Sequence, residues 1–312
     1  MGLYTRAVNK KGVTLTMKRK ISLLLSCVLV FALLLAGCQD AASPSGDNGA
    51  GDTNASGGTN QGVSVNDEIS GTVNTDGSTS MADVMAAFQE TFKEVQPNVT
   101  VNYTGSGSGA GIEGALAGTC DIGLASRELK DEEVADGAVA HVVAKDGVAV
   151  IVNPENGVED LTVEQIAAIF KGEIKNWSEL GGSDLPIAVY GREAGSGTRG
   201  AFEEIVNVVD SCEYTNEYSS TGDVVGSVAS NPNAIGYASL SAVGDTVKAV
   251  KVAGVECSEE TVRDGSYQIQ RPFILVTKEG AELSPAVQAF LDYAMSSDVA
   301  DVIAAAGAVA VN

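Results

Sequence analysis

The sequence predicts an α/β fold divided into two lobes. Strand-like and helix-like signals alternate along the chain, the pattern of βα units. Three turns rich in Gly, Ser and Thr each follow a strand signal and precede a helix signal, which places them together at the carboxyl ends of strands in an open α/β sheet. About 246 residues follow the polar N-terminal region, enough for two lobes rather than one core.

The N-terminal region reads as a targeting segment and a tether. Residues 1–16 carry no recognisable signal, and Met17, directly before a basic run, is the more sensible start. Lys18-Arg19-Lys20 is a basic n-region, and Ile21 to Ala36 is an apolar h-region too short and wrongly flanked for a membrane span. Leu35-Ala36-Gly37-Cys38 resembles a bacterial lipobox, which implies a signal peptide over 1–37, cleavage before Cys38 and a lipid on the Cys38 sulfur. Residues 38–66 are rich in Gly, Ser, Asn, Asp and Ala and are expected to form a flexible linker. The mature chain is thus expected on the extracytoplasmic face of a bacterial membrane, lipid-anchored and not spanning it.

The elements follow in order. Ile69 to Asn74 reads as a strand, and Thr75-Asp76-Gly77-Ser78-Thr79-Ser80 as the first turn. Met81, Val84, Met85, Phe88, Phe92 and Val95 then fall on one face of a helix. Val99 to Tyr103 is a strand, Thr104 to Gly111 the second turn, and Ile112 to Ala117 a short helix. Asp121 to Ser126 is a buried strand ending in Arg127, and Gly147 to Val152 another, stopped by Asn153-Pro154. A helix opens at Leu161 with a capping box from Thr162 to Gln165, runs to about Phe170 and ends at Gly172. Leu185 to Tyr190 is a strand, Gly191 to Arg199 the third turn, and Gly200 to Val206 a helix. Strands follow at Ala234–Ala238 and Pro272–Val276. Ser284 and Pro285 start a helix as N-cap and first residue, with Val287, Phe290, Leu291 and Ala294 inward, and Val299 to Ala306 is the last helix.

The three turns point to an anion site. Free N–H groups, hydroxyls and helix dipoles converge there, and Arg192 and Arg199 supply forked donors. Each Ser or Thr serves equally well as an N-cap alone. Removing the leader takes six basic residues and no acidic ones, moving the formal net charge from −22 to −28. Such acidity argues against a nucleic-acid partner, and local dipoles in a closed cleft still favour a small anion. Cys120, Cys212 and Cys257 are read as ordinary buried or half-buried thiols with at most one bridge. The single histidine, His141, lies in an apolar run, and no ligand pair has zinc spacing, so neither metal nor cofactor is expected. There is no P-loop, and no Gly-x-Ser-x-Gly elbow at Ser106, Ser108 or Ser196.

Seven segments together carry a family likeness: Gly77-Ser78-Thr79-Ser80, Gly105 to Gly109, Asp121 to Arg127, Asp146 to Pro154, Gly172 to Trp177, Gly195-Ser196-Gly197-Thr198-Arg199 and Asn233 to Tyr237. In order and spacing the chain resembles the short form of the phosphate-binding lipoproteins of bacterial ABC transporters, from about Ile69 to Asn312. The resemblance implies a type II periplasmic-binding-protein fold, a Venus flytrap with its ligand between lobes 67–150 plus 251–312 and 151–250. It implies capture of inorganic phosphate for a membrane permease, with no enzymatic activity and a monomeric chain. Its ligand contacts fall on Ser78, Thr79 and Ser80, on Ser108, and on Arg192, Ser196, Gly197 and Thr198. In the long form an Asp that accepts the proton of hydrogen phosphate stands where this chain has Arg127, which makes Arg127 a second cationic contact. Asp146 is then either a replacement acceptor or a turn residue before Gly147. Ala194 stands where the long form often has an acid that orients the arginine, and Glu193 either takes that part or is solvated. Arg127 keeps sulfate, molybdate and tungstate open as alternatives, and a secreted hydrolase is the competing enzyme class. Trp177 resembles the family's structural tryptophan and is expected in the core.

Overall fold

The computed structural model describes residues 68–311. The leader, Cys38 and the whole 38–66 linker lie outside the described residues. In chain order the elements are β1 (Gly71–Gly77), α1 (Ala82–Val95), β2 (Val99–Thr104), α2 (Ser108–Ala117), β3 (Ile122–Ala125), α3 (Asp131–Ala135) and β4 (Ala138–Val152). Next come β5 (Asp160–Leu161), α4 (Val163–Phe170), β6 (Ala188–Arg192), α5 (Gly197–Ile205), β7 (Asn216–Tyr218), α6 (Thr221–Ser230), β8 (Ala234–Ser239) and β9 (Lys248–Val252). The chain closes with α7 (Glu259–Arg263), β10 (Gln270–Lys278), α8 (Pro285–Ala294), α9 (Ala300–Ala305) and β11 (Val309–Ala310).

The strands join in the order β2-β1-β3-β10-β4-β8-β6-β7. The outer pairs β1–β2, β1–β3, β6–β8 and β6–β7 are parallel, whereas β10–β3, β10–β4 and β4–β8 are antiparallel. β4 links the two halves. Ala138 to Gly147 pair with β10, and Val148 to Val152 pair with β8. The apolar core divides at the same place. One large cluster gathers Val73, Phe88, Phe92, Phe273 and Phe290. The other gathers Val148 to Val152, Phe170, Trp177, Phe202 and Tyr237, together with Val262, Tyr267 and Ile269.

The periodic segments fold as their spacing requires. Val84, Met85, Phe88 and Phe92 are buried on α1, and Phe92 meets Phe290 of α8 edge-on at 5.3 Å. Ser284 caps α8 ahead of Pro285, and the Thr162–Gln165 capping box opens α4. Trp177 is buried, and its Nε1 donates to Asn233 O at 3.0 Å. His141 Nε2 shares a 2.8 Å bond with Thr277 Oγ1, a structural arrangement. Cys120, Cys212 and Cys257 are free thiols, so no bridge forms among the described residues. Burial pushes the Cys120 and Cys212 thiols up to about 11 and Cys257 to about 12, which leaves them unreactive at neutral pH.

Several boundaries differ from the expectations. β1 continues to Gly77, because Thr75 and Asp76 pair with Tyr103 and Thr104 of β2. α2 starts at Ser108 and α5 at Gly197, each several residues earlier than expected, and Leu161 belongs to β5. Glycine's weak helix propensity hides the two helix starts, but close packing needs those glycines. A Cβ on Gly111 would collide with Asp76 O and lie 2.6 Å from Gly77 Cα, so only glycine lets α2 sit directly on β1. That contact fixes where Ser108 emerges.

Candidate functional site

Four helical starts meet at one point. Ser78 caps a single 3-10 turn (Thr79–Met81) that leads into α1, its Oγ accepting from Ser80 N at 3.3 Å. Ser108 is the first residue of α2, Gly197 of α5 and Thr221 of α6. The first N–H groups of each helix have no intrahelical partner and lie at the positive end of its dipole. Ser196 caps α5 through Oγ, which accepts from Arg199 N at 3.4 Å.

Hydroxyl bonds tie these starts together. Ser80 Oγ bonds Thr198 Oγ1 at 2.7 Å and Thr221 Oγ1 at 3.1 Å. Thr79 Oγ1 bonds Thr221 Oγ1 at 3.1 Å. Ser78 Oγ donates to Ser126 Oγ at 2.8 Å, and Ser126 N donates to Ser108 Oγ at 3.1 Å. Gly109 N reaches Gly195 O at 3.1 Å. A Cβ on Gly197 would collide with Ser108 Oγ and lie 2.9 Å from Ser126 Oγ, so the start of α5 lies flush against the start of α2 and the residue that follows β3. Ser78, Ser80, Ser108, Ser126, Thr198 and Thr221 are all buried.

Arg192 ends β6 inside this group and is 1 % exposed. Its Nη1 donates to Thr79 Oγ1 at 2.8 Å and Thr221 Oγ1 at 3.1 Å, while Nε and Nη2 are held by Tyr218 O and Ser219 O. Burial pulls its pKa below the usual arginine value, and Glu193 opposes that pull. The guanidinium stays charged at any physiological pH. Among the described residues its ionic contact is Glu193 at 3.9 Å, whose side chain is half exposed. A buried cation surrounded by neutral dipoles is an arrangement that an anion would stabilise.

Two predicted contacts, Asp146 and Arg127, are engaged by other partners. Asp146 is fully buried behind the cluster. Its Oδ2 accepts from Arg271 Nη2 at 2.9 Å and Nε at 3.1 Å, and its Oδ1 from Ser239 Oγ at 2.8 Å and Leu240 N at 3.2 Å. Four donors fill the carboxylate, so it has no acceptor left to turn toward an anion. Arg127 forks onto Glu133, Nη1 to Oε2 at 2.8 Å and Nη2 to Oε1 at 2.6 Å. Burial raises the Glu133 carboxyl, but Arg127 and the Lys130 N–H outweigh it and hold the pKa below the ordinary value. The remaining predicted residues, Ser78, Thr79, Ser80, Ser108, Arg192, Ser196, Gly197 and Thr198, converge.

Three site residues escape the sequence reading. Ser126 ends a recognised strand segment. Thr221 sits in Ser219-Ser220-Thr221-Gly222, a fourth hydroxyl-rich helix start of the same kind as the other three. Arg271 has no local signal. It is buried, and its Nη1 donates to Ser126 O at 3.2 Å and Ser126 Oγ at 3.3 Å, which brings a second cation to the back of the cluster. No group of three or more His, Cys, Asp or Glu among the described residues is placed to hold a metal.

The model of the PBP superfamily domain matches residues 58–298. The phosphate-binding protein PstS of Bacillus subtilis (strain 168) is 31 % identical over 290 residues, covering 91 % of each chain. A crystal structure of a phosphate ABC transporter substrate-binding protein with bound phosphate, from Clostridium perfringens, is 43 % identical, with a TM-score of 0.75 over 78 % of this chain and 100 % of that one. An ABC-type phosphate transport receptor from Vibrio cholerae is 31 % identical, with a TM-score of 0.64 over 76 % of this chain and 99 % of that one.

Proposed function

The chain belongs to the PBP superfamily, among the phosphate-binding PstS proteins, and from that membership we propose that it captures inorganic phosphate outside the cytoplasmic membrane and delivers it to the permease of an ABC transporter. It is a binding protein and not an enzyme. The observation that carries the phosphate reading is Arg192, a buried cation held by neutral groups where four helical starts meet.

The ligand set is Thr79, Ser80, Ser108, Arg192, Gly197 and Thr198, with Ser126 and Thr221 completing the hydroxyl shell and Arg271 adding positive potential from behind. Ser78 and Ser196 cap the helices that present it. Hydroxyls donate and accept, whereas N–H groups only donate. A hydroxyl shell therefore takes the proton of hydrogen phosphate without a carboxylate, a task that neither Arg127 nor Asp146 performs. Two lobes close on the anion, hinged where β4 and β10 pass between the apolar clusters at Gly147 and Gln270. A ligand that touches both lobes binds the closed state better and shifts the population toward it. The leader is cut before Cys38, a lipid on that sulfur anchors the chain, and 38–66 tether a monomeric binding unit. No helix among the described residues is long and apolar enough to cross a membrane.

The test is calorimetric titration of a fragment starting near Val65, freed of bound ligand, with phosphate and then sulfate from pH 5 to 8.5. One-to-one phosphate binding with a weaker sulfate response is expected; silence toward phosphate would overturn the reading. Gly197→Ala probes closure. Its Cβ would push into Ser108 Oγ and Ser126 Oγ, so phosphate affinity is expected to fall at least tenfold. Each half keeps its own core, so the ligand-free melting temperature should move little. An unchanged affinity would show that α5 does not close against α2.

A further inference from the structure

Arg192 is held from behind by a closed ring of hydrogen bonds. Its backbone N–H donates to Tyr237 Oη at 3.0 Å, and Arg199 Nη1 donates to its carbonyl at 2.9 Å. Tyr214 Oη donates to Glu203 Oε1 at 2.9 Å, and Arg199 Nε donates to the same oxygen at 2.8 Å. Tyr237 Oη and Tyr214 Oη lie 3.2 Å apart. The Tyr214 proton is spent on Glu203, so Tyr237 must be the donor in that last bond. Every hydrogen in the ring then has one direction: Arg192 N–H to Tyr237, Tyr237 to Tyr214, Tyr214 to Glu203, with Arg199 joining Glu203 to the Arg192 carbonyl.

Packing holds the ring rigid. Tyr237 stacks on Phe202 with centroids 4.3 Å apart, and Arg199 lies over the Tyr214 ring at 4.8 Å. A Cβ on Gly191, the residue before Arg192, would collide with Tyr214, so the ring presses directly on the backbone that carries Arg192. Arg199, a candidate anion donor by its position in the third turn, is instead committed to Glu203, Glu217 and the Arg192 carbonyl.

We infer that Tyr237, Tyr214, Glu203 and Arg199 are positioning residues that fix the Arg192 peptide on both sides, and so set the strength of phosphate binding without touching phosphate. Groups that act on the ligand only through Arg192 lose their influence once Arg192 is gone, which a merely structural residue would not. The inference rests on the phosphate reading of the site.

The experiment measures phosphate affinity by calorimetry for the wild type, Tyr237→Phe, Arg192→Ala and the double variant. Tyr237→Phe keeps the stacked ring and removes only the hydroxyl. It is expected to weaken phosphate binding about tenfold in the wild-type background and less than twofold in the Arg192→Ala background. Arg199→Met, at a partly exposed position, should show the same dependence on Arg192 and supplies a second variant should Tyr237→Phe fold poorly. Equal affinity in the wild-type background, or equal loss in both backgrounds, would overturn the inference alone. A wild type that does not bind phosphate would overturn the phosphate reading and this inference with it.

Discussion

Arg192→Ala is expected to weaken phosphate binding by more than tenfold, because a buried hydrogen bond to a charged group contributes about 1.5–3 kcal/mol. The same substitution should do little harm to the ligand-free protein. Arg192 is a buried cation whose carboxylate neighbour, Glu193, is half exposed and 3.9 Å away. Desolvation of such a charge opposes folding, while its bonds to Tyr218 O, Ser219 O, Thr79 and Thr221 favour it. Removing the whole group removes both contributions. Thermal unfolding with and without phosphate separates the two effects, since a ligand stabilises the native state according to its affinity. The wild type should gain a large rise in melting temperature with millimolar phosphate, and Arg192→Ala a much smaller one from a similar starting point. An unchanged affinity would take Arg192 out of the site.

What the sequence reveals about this site divides by distance along the chain. The spacing of Val84, Phe88 and Phe92 and the Ser284-Pro285 start are local signals, and local geometry decides both. The hydroxyl-rich turns are local too, which is why Thr79, Ser80, Ser108 and Thr198 are legible. The same pattern at Ser219-Ser220-Thr221 points to Thr221. The partners of the charged groups are not local. Arg271 meets Asp146 because β10 pairs with β4 in a register that sets those two residues opposite each other. Nothing within a few residues of either one announces it. The family resemblance places Arg127 in the site because it stands where the long form has an Asp, but Glu133, fixed by the N–H of Lys130 at the start of α3, captures the guanidinium first. Side-chain competition of this kind depends on three-dimensional neighbours. Glycine misleads in the same way. Gly197 and Gly111 lower helix propensity locally, yet each stands where no other residue permits the contact that builds the site.

Asp146→Ala is expected to be the most destabilising single change at the back of the site, by about 3–5 kcal/mol, since it leaves Arg271 charged and buried without its partner. Against a total stability of roughly 5–15 kcal/mol, the urea midpoint should fall sharply. Arg271→Met should be milder. The orphaned carboxyl keeps Ser239 Oγ and Leu240 N as donors, and it has a second way out. Burial already pushes Asp146 above the ordinary aspartate value, with Arg271 as the main opposing influence. Without Arg271 the pKa rises further, and the folded chain takes up a proton that the unfolded chain has released. The folded state then binds more protons than the unfolded state between the two pKa values, so stability falls as pH rises through that window. Arg271→Met should therefore lose less stability relative to wild type near pH 5 than near pH 7. Asp146→Ala leaves no carboxyl to titrate, and its deficit should stay nearly constant across the same range. The double variant Asp146→Ala/Arg271→Met removes both charges and should recover much of the loss of Asp146→Ala, as buried ion pairs replaced by apolar groups commonly do. Urea unfolding of the four proteins at the two pH values tests the scheme. A double variant as unstable as Asp146→Ala would mean that the pair contributes through packing and not through charge.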